Sequence, residues 1–351
     1  MQFGSDNLAG VSPAIMRALT EVSAGPAIAY GDDALTKQTE QKVAALFETE
    51  CAVFFVATGS AANSIGLAAL CPNYGAILCH EGSHIQTDEC GCPEFYTGGA
   101  KLLPVAGENG KLRPDDIARF IESYPSHAPH ATPIKVLALT QGTEFGTVYS
   151  VDEVRELGKL KRERGLRMHM DGARFANAII ATGATPAEIT WQAGVDILSL
   201  GATKNGCLAA EAVVCFDLDL ADEIMYRRKR GGHLWSKSRF ISAQFKAWLD
   251  NDLWLDNARH ANRLGQRLSA GLAAIDGIHI PFPTQINEIF ASMPSRLIDD
   301  LIAAGAQFHR WACPGTGGDP NLIRLVTSFE STDQEVDAFV ELTQQLSSRA
   351  D

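Results

Sequence analysis

Three short polar segments contain side chains whose types could carry out chemistry, and each follows an apolar run of strand length. Thr58-Gly59-Ser60 follows the first such run, Asp171 follows a later one, and Lys204 follows the next. A Gly-Ser turn that opens a helix offers free backbone N–H groups to a phosphate. A carboxylate can hold a heterocyclic nitrogen protonated, and a partly desolvated lysine can attack an aldehyde as an amine nucleophile.

Each segment also has a simple structural explanation. Thr58 or Ser60 could cap a helix, Asp171 could cap the helix after it, and Lys204 could extend into solvent. A phosphate site, a carboxylate and a lysine in this order are what pyridoxal phosphate requires, so we predict pyridoxal 5′-phosphate as the cofactor. Residues 58–63 match neither G-x-x-x-x-G-K-[ST] nor G-x-G-x-x-G, which argues against a P-loop NTPase and a nicotinamide dehydrogenase.

The elements around these segments predict an α/β fold in which helices cover a mostly parallel sheet. Apolar runs of strand length alternate with helical stretches, as in parallel sheets. Ligands bind beyond the carboxyl ends of such strands, where the three segments fall. The predicted strands are 52–57, 76–79, 135–139, 166–170, 196–200 and 212–216, and the predicted helices between them are 36–47, 61–70, 114–122, 151–164 and 173–182.

Length and pattern together predict two domains of unequal size, because 351 residues exceed the usual length of one domain. After about residue 235 the pattern changes to short strands at 278–280, 286–291 and 322–327 and helices at 238–250, 255–275, 295–304 and 332–346. We predict an N-terminal segment, 1–25, that joins the small domain and the active site, a large cofactor-binding domain, 26–235, and a small α+β domain, 236–351.

Composition and charge exclude several classes of protein. A chain with 46% hydrophobic and 21% charged residues is neither disordered nor a disulfide-stapled miniprotein. The net charge of −12 would repel nucleic acid, and no apolar segment reaches the roughly 18–20 residues that cross a bilayer. The N-terminus lacks a signal-peptide pattern, so we expect a cytoplasmic protein with no nucleic-acid or membrane partner. The eight cysteines form no C-x-x-C pair, and we expect no metal site.

Longer motifs extend these three segments. They are Ser5-Asp6-Asn7, Tyr30-Gly31-Asp32-Asp33, Thr58-Gly59-Ser60-Ala61-Ala62-Asn63, His84 with Glu89, Asp171-Gly172-Ala173-Arg174, Thr203-Lys204 and Ile323-Arg324-Leu325-Val326-Thr327. With these motifs the chain resembles the low-specificity L-threonine aldolases, and most of all their pseudomonad-type branch, which includes phenylserine aldolases. The resemblance runs from about residue 2 to the C-terminus and implies the aspartate-aminotransferase-like fold, type I among pyridoxal phosphate enzymes, in a homotetramer of two dimers with sites shared between subunits.

The resemblance also implies a role for each matching residue. Lys204 would hold the cofactor as a Schiff base, Asp171 would pair with the pyridine nitrogen, and His84 would stack on the ring. Bidentate guanidinium groups suit the substrate α-carboxylate. The implied cofactor-binding residues are Lys204, Gly59, Ser60, His84, Asp171, Arg174 and Thr203, and the implied substrate-binding residues are Ser5, Arg174 and Arg324.

Cleavage of a β-hydroxy-α-amino acid requires a base that takes the β-hydroxyl proton. The resemblance points to His130, while His84 or a water held by either histidine is an equal candidate. Glu89 would orient His84 or a water, and Tyr30 would project into a site, its own or a neighbour's. The basic run 227–239 corresponds to a region that supplies a phosphate-binding cation to the adjacent subunit, but the expected arginine is absent here, and Lys237, Arg230 and Arg239 are the alternatives.

We therefore predict a carbon–carbon lyase that cleaves L-threonine, L-allo-threonine or L-phenylserine to glycine and an aldehyde. Another type I pyridoxal phosphate lyase, such as a β-eliminating enzyme, would use similar cofactor contacts. A cofactor-free binding scaffold, in which the strand-end residues are only caps, is a third and weaker alternative.

Overall fold

The structure is a computed structural model that describes residues 1–125, 127–312, 314, 316 and 318–348. No helix in these residues is both long and apolar enough to span a membrane. The helices are α1 Pro13–Val22, α2 Ala34–Leu46, α3 Gly59–Leu70, α4 His84–Thr87, α5 Cys92–Thr97, α6 Pro114–Ser123, α7 Val151–Arg164, α8 Phe175–Thr182, α9 Pro186–Ile189, α10 Ala221–Arg230, α11 Arg239–Leu249, α12 Leu253–Ala273, α13 Ser295–Ala303 and α14 Asp333–Ser347.

A seven-stranded sheet forms the centre of the large domain. Its strand order is β1-β7-β6-β5-β4-β2-β3. Only β7 runs against its neighbours, so six strands end at the same edge of the sheet. The strands are β1 Ala52–Val56, β2 Ala76–His80, β3 Lys101–Val105, β4 Ile134–Thr140, β5 Arg167–Gly172, β6 Ile197–Gly201 and β7 Glu211–Cys215.

Helices cover both faces of this sheet, as apolar strand sequences require. On one face, a large core joins α1, α2, α7 and α11 to the strands. On the other face, α3 packs on β6 and β7 through apolar residues such as Ile65. Helix α7 begins with a capping box, in which Ser150 and Glu153 each accept a hydrogen bond from the other's backbone N–H. The helices thus hold the strand ends at fixed positions around one edge.

A smaller antiparallel sheet, with strand order β8-β10-β9, forms the C-terminal domain. The strands are β8 Glu288–Ser292, β9 His309–Arg310 and β10 Leu322–Val326, and α12, α13 and α14 pack on them. The N-terminal residue Phe3 enters this core, where its ring packs edge-on against Phe339 with centroids 5.3 Å apart. The N-terminal segment is therefore attached to the small domain.

Two sequence-based expectations differ from the structure. The core packing differs from the expected domain boundary at 235, because α11 packs into the large core and, apart from Phe3, the small-domain core starts at Leu264 in α12. The predicted strand 278–280 is reduced to a single bridge between His279 and Ser292. Strand β3 was not predicted, because Pro104 and the exposed Lys101 interrupt its apolar pattern at the sheet edge.

We expect Gly158→Ala to destabilise the protein by about 1–3 kcal/mol, because it overpacks a close helix contact. A Cβ at Gly158 would lie 2.0 Å from the carbonyl oxygen of Ala193, so α7 would have to move. Thermal unfolding measures the change. Lys159→Ala at the next, exposed position of α7 is the control, and an equal melting temperature for Gly158→Ala and the control would contradict the packing described here.

Candidate active site

A cavity of about 260 Å³ opens at the sheet edge where the parallel strands end. Side chains from the ends of β1, β4, β5 and β6 and from the start of β7 meet there, as expected for an open parallel sheet. All seven of the predicted cofactor-binding residues line this cavity. Its lining includes Asn7, Thr58, Gly59, Ser60, Asn63, His84, Glu89, Thr140, Glu144, Asp171, Arg174, Thr203, Lys204 and Glu211.

The N-terminus of α3 forms one wall of the cavity. The Thr58 hydroxyl accepts the Ala61 N–H and caps the helix, so the structural explanation of this residue is correct. The first turn of a helix still leaves backbone N–H groups without intrahelical acceptors, here those of Gly59 and Ser60. A Cβ at Gly59 would have 4.0 Å of clearance to its nearest neighbour, an oxygen of Glu211, so this wall is open. It has the donors and the space that a phosphate needs.

Lys204 lies in a short 3₁₀ turn, Thr203–Asn205, directly after β6. It is partly buried and lines the cavity. Among the residues that the structure describes, its Nζ has no hydrogen-bond or ion-pair partner. An unpaired primary amine inside a cavity is available to react with an aldehyde.

Asp171 is held at the end of β5 with both carboxylate oxygens occupied. Its Oδ1 accepts the Ala173 N–H at 2.9 Å, and its Oδ2 accepts the Asn63 side-chain amide at 2.8 Å. The residue is only 6% exposed. Neutral donors fix this carboxylate and leave its charge uncompensated, so it can attract a protonated nitrogen.

His84 is oriented by Glu89. The His84 Nδ1 lies 2.8 Å from Glu89 Oε1, and the same oxygen accepts a hydrogen bond from Asn63 at 2.9 Å. The hydrogen bond to Glu89 raises the pKa of His84 above its usual 6.5. Since Nδ1 is engaged, Nε2 is the ring nitrogen free to exchange a proton in the cavity.

Arg174 is buried between two carboxylates. Its Nε and Nη2 donate to Asp6 at 2.7 and 3.0 Å, and its Nη1 lies 3.0 Å from Glu288. These carboxylates raise the pKa of Arg174, and the guanidinium lowers the pKa of Asp6. Arg174 thus fastens the N-terminal segment and the small domain to the large domain at the cavity wall.

The other two predicted substrate residues lie outside the cavity lining. Ser5 accepts the Asn7 N–H and caps a short turn, and Asn7 is the residue of this segment that lines the cavity. Arg324 contacts the carbonyl of Gly4 at 3.4 Å, and its guanidinium carbon lies 4.0 Å from the centroid of the Trp311 ring. Ser5 borders a separate groove, and Arg324 is connected to the cavity wall through Glu288, which both it and Arg174 face.

Two of the predicted catalytic residues lie away from the cavity of their own chain. His130 precedes β4 and borders a separate groove with Tyr74 and Leu166, at the amino-terminal edge of the sheet. His130 therefore does not line the cavity of its own chain, and its assignment as a base stays a prediction that requires a site shared with a neighbouring subunit. Tyr30 is 50% exposed on another surface, where Lys229 Nζ lies 4.8 Å from the centroid of its ring.

The structure adds residues that the sequence did not reveal. Asn63 bridges Asp171 and Glu89, and it is the third residue of the predicted helix 61–70, where an Asn has no distinctive signal. Glu144 accepts the His84 N–H at 2.7 Å and the Thr140 hydroxyl at 2.8 Å. Its Oε2 is buried without a partner among the described residues, and burial raises the pKa of its carboxyl to about 7. The sequence offered one clue to Glu144, namely its position shortly after β4, at the edge of the sheet where ligands bind.

Comparisons with known proteins agree with this geometry. Residues 2–295 match the family described as beta-eliminating lyase. The low-specificity L-threonine aldolase of Pseudomonas aeruginosa is 43% identical over 318 residues, which cover 90% of each chain, and that of a Pseudomonas species is 40% identical over 336 residues, which cover 95% of this chain and 94% of the relative.

Solved structures share the fold. The threonine aldolase of Leishmania major superposes with a TM-score of 0.91 at 26% identity and 99% coverage of both chains. The histidinol-phosphate aminotransferase of Clostridium acetobutylicum superposes with a TM-score of 0.75 at 13% identity and 99% coverage of both chains, a likeness of fold alone. The predicted type I α/β fold is thus confirmed. The chain belongs to the beta-eliminating lyase family and, within it, to the low-specificity L-threonine aldolases.

Proposed function

We propose that this enzyme cleaves L-threonine, L-allo-threonine or a related L-β-hydroxy-α-amino acid such as L-phenylserine to glycine and an aldehyde, with pyridoxal 5′-phosphate as cofactor. One observation carries the proposal: an unpaired lysine, a fixed carboxylate and an open helix N-terminus line one cavity. The low-specificity L-threonine aldolases of the two pseudomonads support it through their similarity over most of the chain.

The residues around the cavity fit this cofactor. Lys204 would bond to its aldehyde carbon, Asp171 would pair with its pyridine nitrogen, and the N–H groups of Gly59 and Ser60, with Thr203, would bind its phosphate. His84 would pack on the ring. When bound, the cofactor withdraws electrons from the α-carbon of an amino acid and so weakens the Cα–Cβ bond.

Side chains of this chain would move the proton that cleavage requires. A base takes the β-hydroxyl proton, the Cα–Cβ bond breaks and the aldehyde leaves, after which Cα takes up a proton and becomes glycine. His84 is our candidate base, because its Nε2 is free while Glu89 holds Nδ1. Glu144, whose Oε2 is unpaired among the described residues, is the alternative group at this edge.

The substrate α-carboxylate would bind at the rim near Arg174, Arg324 and Ser5. Two carboxylates already neutralise Arg174, so we propose that it acts mainly by holding Asp6 and the N-terminal segment in place. Arg324 faces Glu288 at 3.8 Å, a weaker pairing that leaves more of its charge for a substrate.

We further propose a homotetramer of two dimers in which subunits share sites, in the cytoplasm. Large apolar side chains that single subunits leave exposed support the assembly, among them Phe95 at 81% and Tyr226 at 70%. Tyr30, which is also exposed, would then contribute to a neighbour's site. The seven cysteines that the structure describes are free thiols, which suits a reducing compartment.

We expect purified enzyme with pyridoxal phosphate to release glycine from at least one of L-threonine, L-allo-threonine and L-phenylserine, and Lys204→Ala to abolish this release. Coupled assays for glycine and aldehyde measure both products. Lys159→Ala, which removes an exposed lysine of α7 outside the cavity, is a control for loss of charge. If the enzyme forms a keto acid and no glycine, it is a β-eliminating lyase and the aldolase proposal fails.

We expect Glu89→Gln to shift the acidic limb of the kcat/KM profile to lower pH. The hydrogen bond to Glu89 raises the pKa of His84, and a base works only when it is deprotonated, so removing the carboxylate lets His84 act at lower pH. His84→Asn should lower kcat by about 10²-fold or more. If the limb moves instead in Glu144→Gln and stays fixed in Glu89→Gln, Glu144 is the base.

Co-expressed Lys204→Ala and Tyr30→Ala subunits should show more activity than either variant alone, because a mixed assembly can pair an intact Lys204 with an intact Tyr30 from different chains. Activity of the purified mixed assembly measures this complementation. Activity no greater than that of the separate variants would show that Tyr30 serves no neighbouring site.

A further inference from the structure

Glu211 is a buried carboxyl at the active-site cavity that the proposed reaction does not use. It is the first residue of β7, the only strand of the large sheet that runs backwards, and it pairs with Val56 and Gly201 near the ends of β1 and β6. An antiparallel strand begins where its neighbours end, so β7 delivers its first side chain to the same edge. Glu211 is 6% exposed and lines the cavity.

The surroundings of Glu211 are the groups that we assign to the cofactor phosphate. The Thr203 hydroxyl and backbone N–H lie within hydrogen-bonding reach of the Glu211 carboxylate, and the same hydroxyl accepts the Ala210 N–H at 3.1 Å. Its Oε2 lies 4.0 Å from the position that a Cβ of Gly59 would take, beside the N-terminus of α3. A phosphate at that helix terminus would therefore adjoin the Glu211 carboxyl and share its donors.

A carboxylate and a phosphate in this position would conflict. Phosphate monoesters lose their second proton at about pH 6. The two groups would therefore be neighbouring anions that compete for the same N–H and O–H donors. A protonated carboxyl removes the conflict, since it still accepts from Thr203 and can donate its own O–H to a phosphate oxygen.

The charges that face Glu211 come from several elements. Lys204, from the turn after β6, favours the carboxylate, whereas Asp171, from β5, opposes it. Cys207 is also near, but burial raises the pKa of its thiol well above the usual value, so it stays neutral. Val56 from β1 and Gly59 from α3 carry no charge. Burial is the largest effect and raises the pKa of Glu211 to about 7.

We propose that Glu211 is a proton-bearing ligand of the cofactor phosphate, so that loading of the enzyme takes up a proton from solvent, which then resides on the Glu211 carboxyl. This inference rests on the proposed function, because it assumes that pyridoxal phosphate binds with its phosphate at the N-terminus of α3. The chain thus has a carboxylic acid where a phosphate site would ordinarily use a cation.

The test measures loading and not turnover. Apoenzyme is titrated with pyridoxal 5′-phosphate between pH 6 and 9, and absorbance of the lysine-bound cofactor gives the affinity. Calorimetry in two buffers of different ionisation enthalpy gives the protons taken up. Glu211→Gln mimics the protonated carboxyl, and Glu144→Gln, which removes the other cavity carboxyl with a pKa of about 7, is the matched control. Pyridoxal without phosphate is the second probe.

The affinity of wild type for pyridoxal 5′-phosphate, divided by that of Glu211→Gln, should fall about tenfold for each pH unit above neutrality. This is the dependence expected for uptake of one proton. Glu144→Gln should keep the wild-type dependence of cofactor affinity on pH. With pyridoxal as the ligand, wild type and Glu211→Gln should show the same pH dependence of affinity.

Equal pH dependences and equal proton counts for wild type and Glu211→Gln with pyridoxal phosphate would overturn the inference. That result is expected if a cation from a neighbouring subunit pairs with an ionised Glu211. If Glu211→Gln does not fold, equal proton uptake by wild type with pyridoxal and with its phosphate overturns it. Absence of the lysine-bound absorbance in wild type would instead refute the proposed function.

Discussion

The site depends on one amide group, the side-chain nitrogen of Asn63, which donates to both Asp171 and Glu89. These two carboxylates are each 6% exposed and belong to different parts of the chain. Asn63 is itself buried on α3, the helix whose N-terminus forms the phosphate wall. One helix therefore fixes the distance between the group that would hold the cofactor ring, the group that orients His84, and the phosphate donors. Loss of the amide would leave two buried carboxylates without their shared donor, which is costly in a protein interior.

The charge distribution of the cavity suits the electrophilic, cationic ring that we propose binds there. Glu89, Glu144, Asp171 and Glu211 all line it, whereas Arg174 is committed to Asp6 and Glu288. Burial raises the pKa of Glu144 and of Glu211 to about 7, so part of this negative charge is removed near neutrality. Asp171 accepts two neutral hydrogen bonds at the place where a protonated nitrogen would bind. Lys204 lies among these carboxylates without forming an ion pair with any of those that the structure describes.

Much of the fold and part of the site were predictable from sequence. Residues Thr58, Asp171 and Lys204 each follow an apolar strand, and topology alone brings such positions to one edge of a parallel sheet. The same rule missed Glu211, because the rule considers only residues that follow a strand. Strand β7 is antiparallel to β6, so its first residue, Glu211, lies at that edge. The position of His130 away from the cavity of its own chain was not predictable, because a motif match carries no information on which end of the sheet a loop occupies. The pairing of Arg174 with Asp6 joins residues 168 positions apart, and only the packed structure reveals it.

The most direct test of the central claim is chemical trapping of the amine that binds the cofactor. Enzyme incubated with pyridoxal 5′-phosphate is reduced with borohydride, digested, and analysed by mass spectrometry. The account predicts that a phosphopyridoxyl group is attached to the Nζ of Lys204 and that its attachment abolishes glycine release. Attachment to another lysine, or full labelling of the chain with Lys204 unmodified, would contradict the assignment of this cavity as the active site.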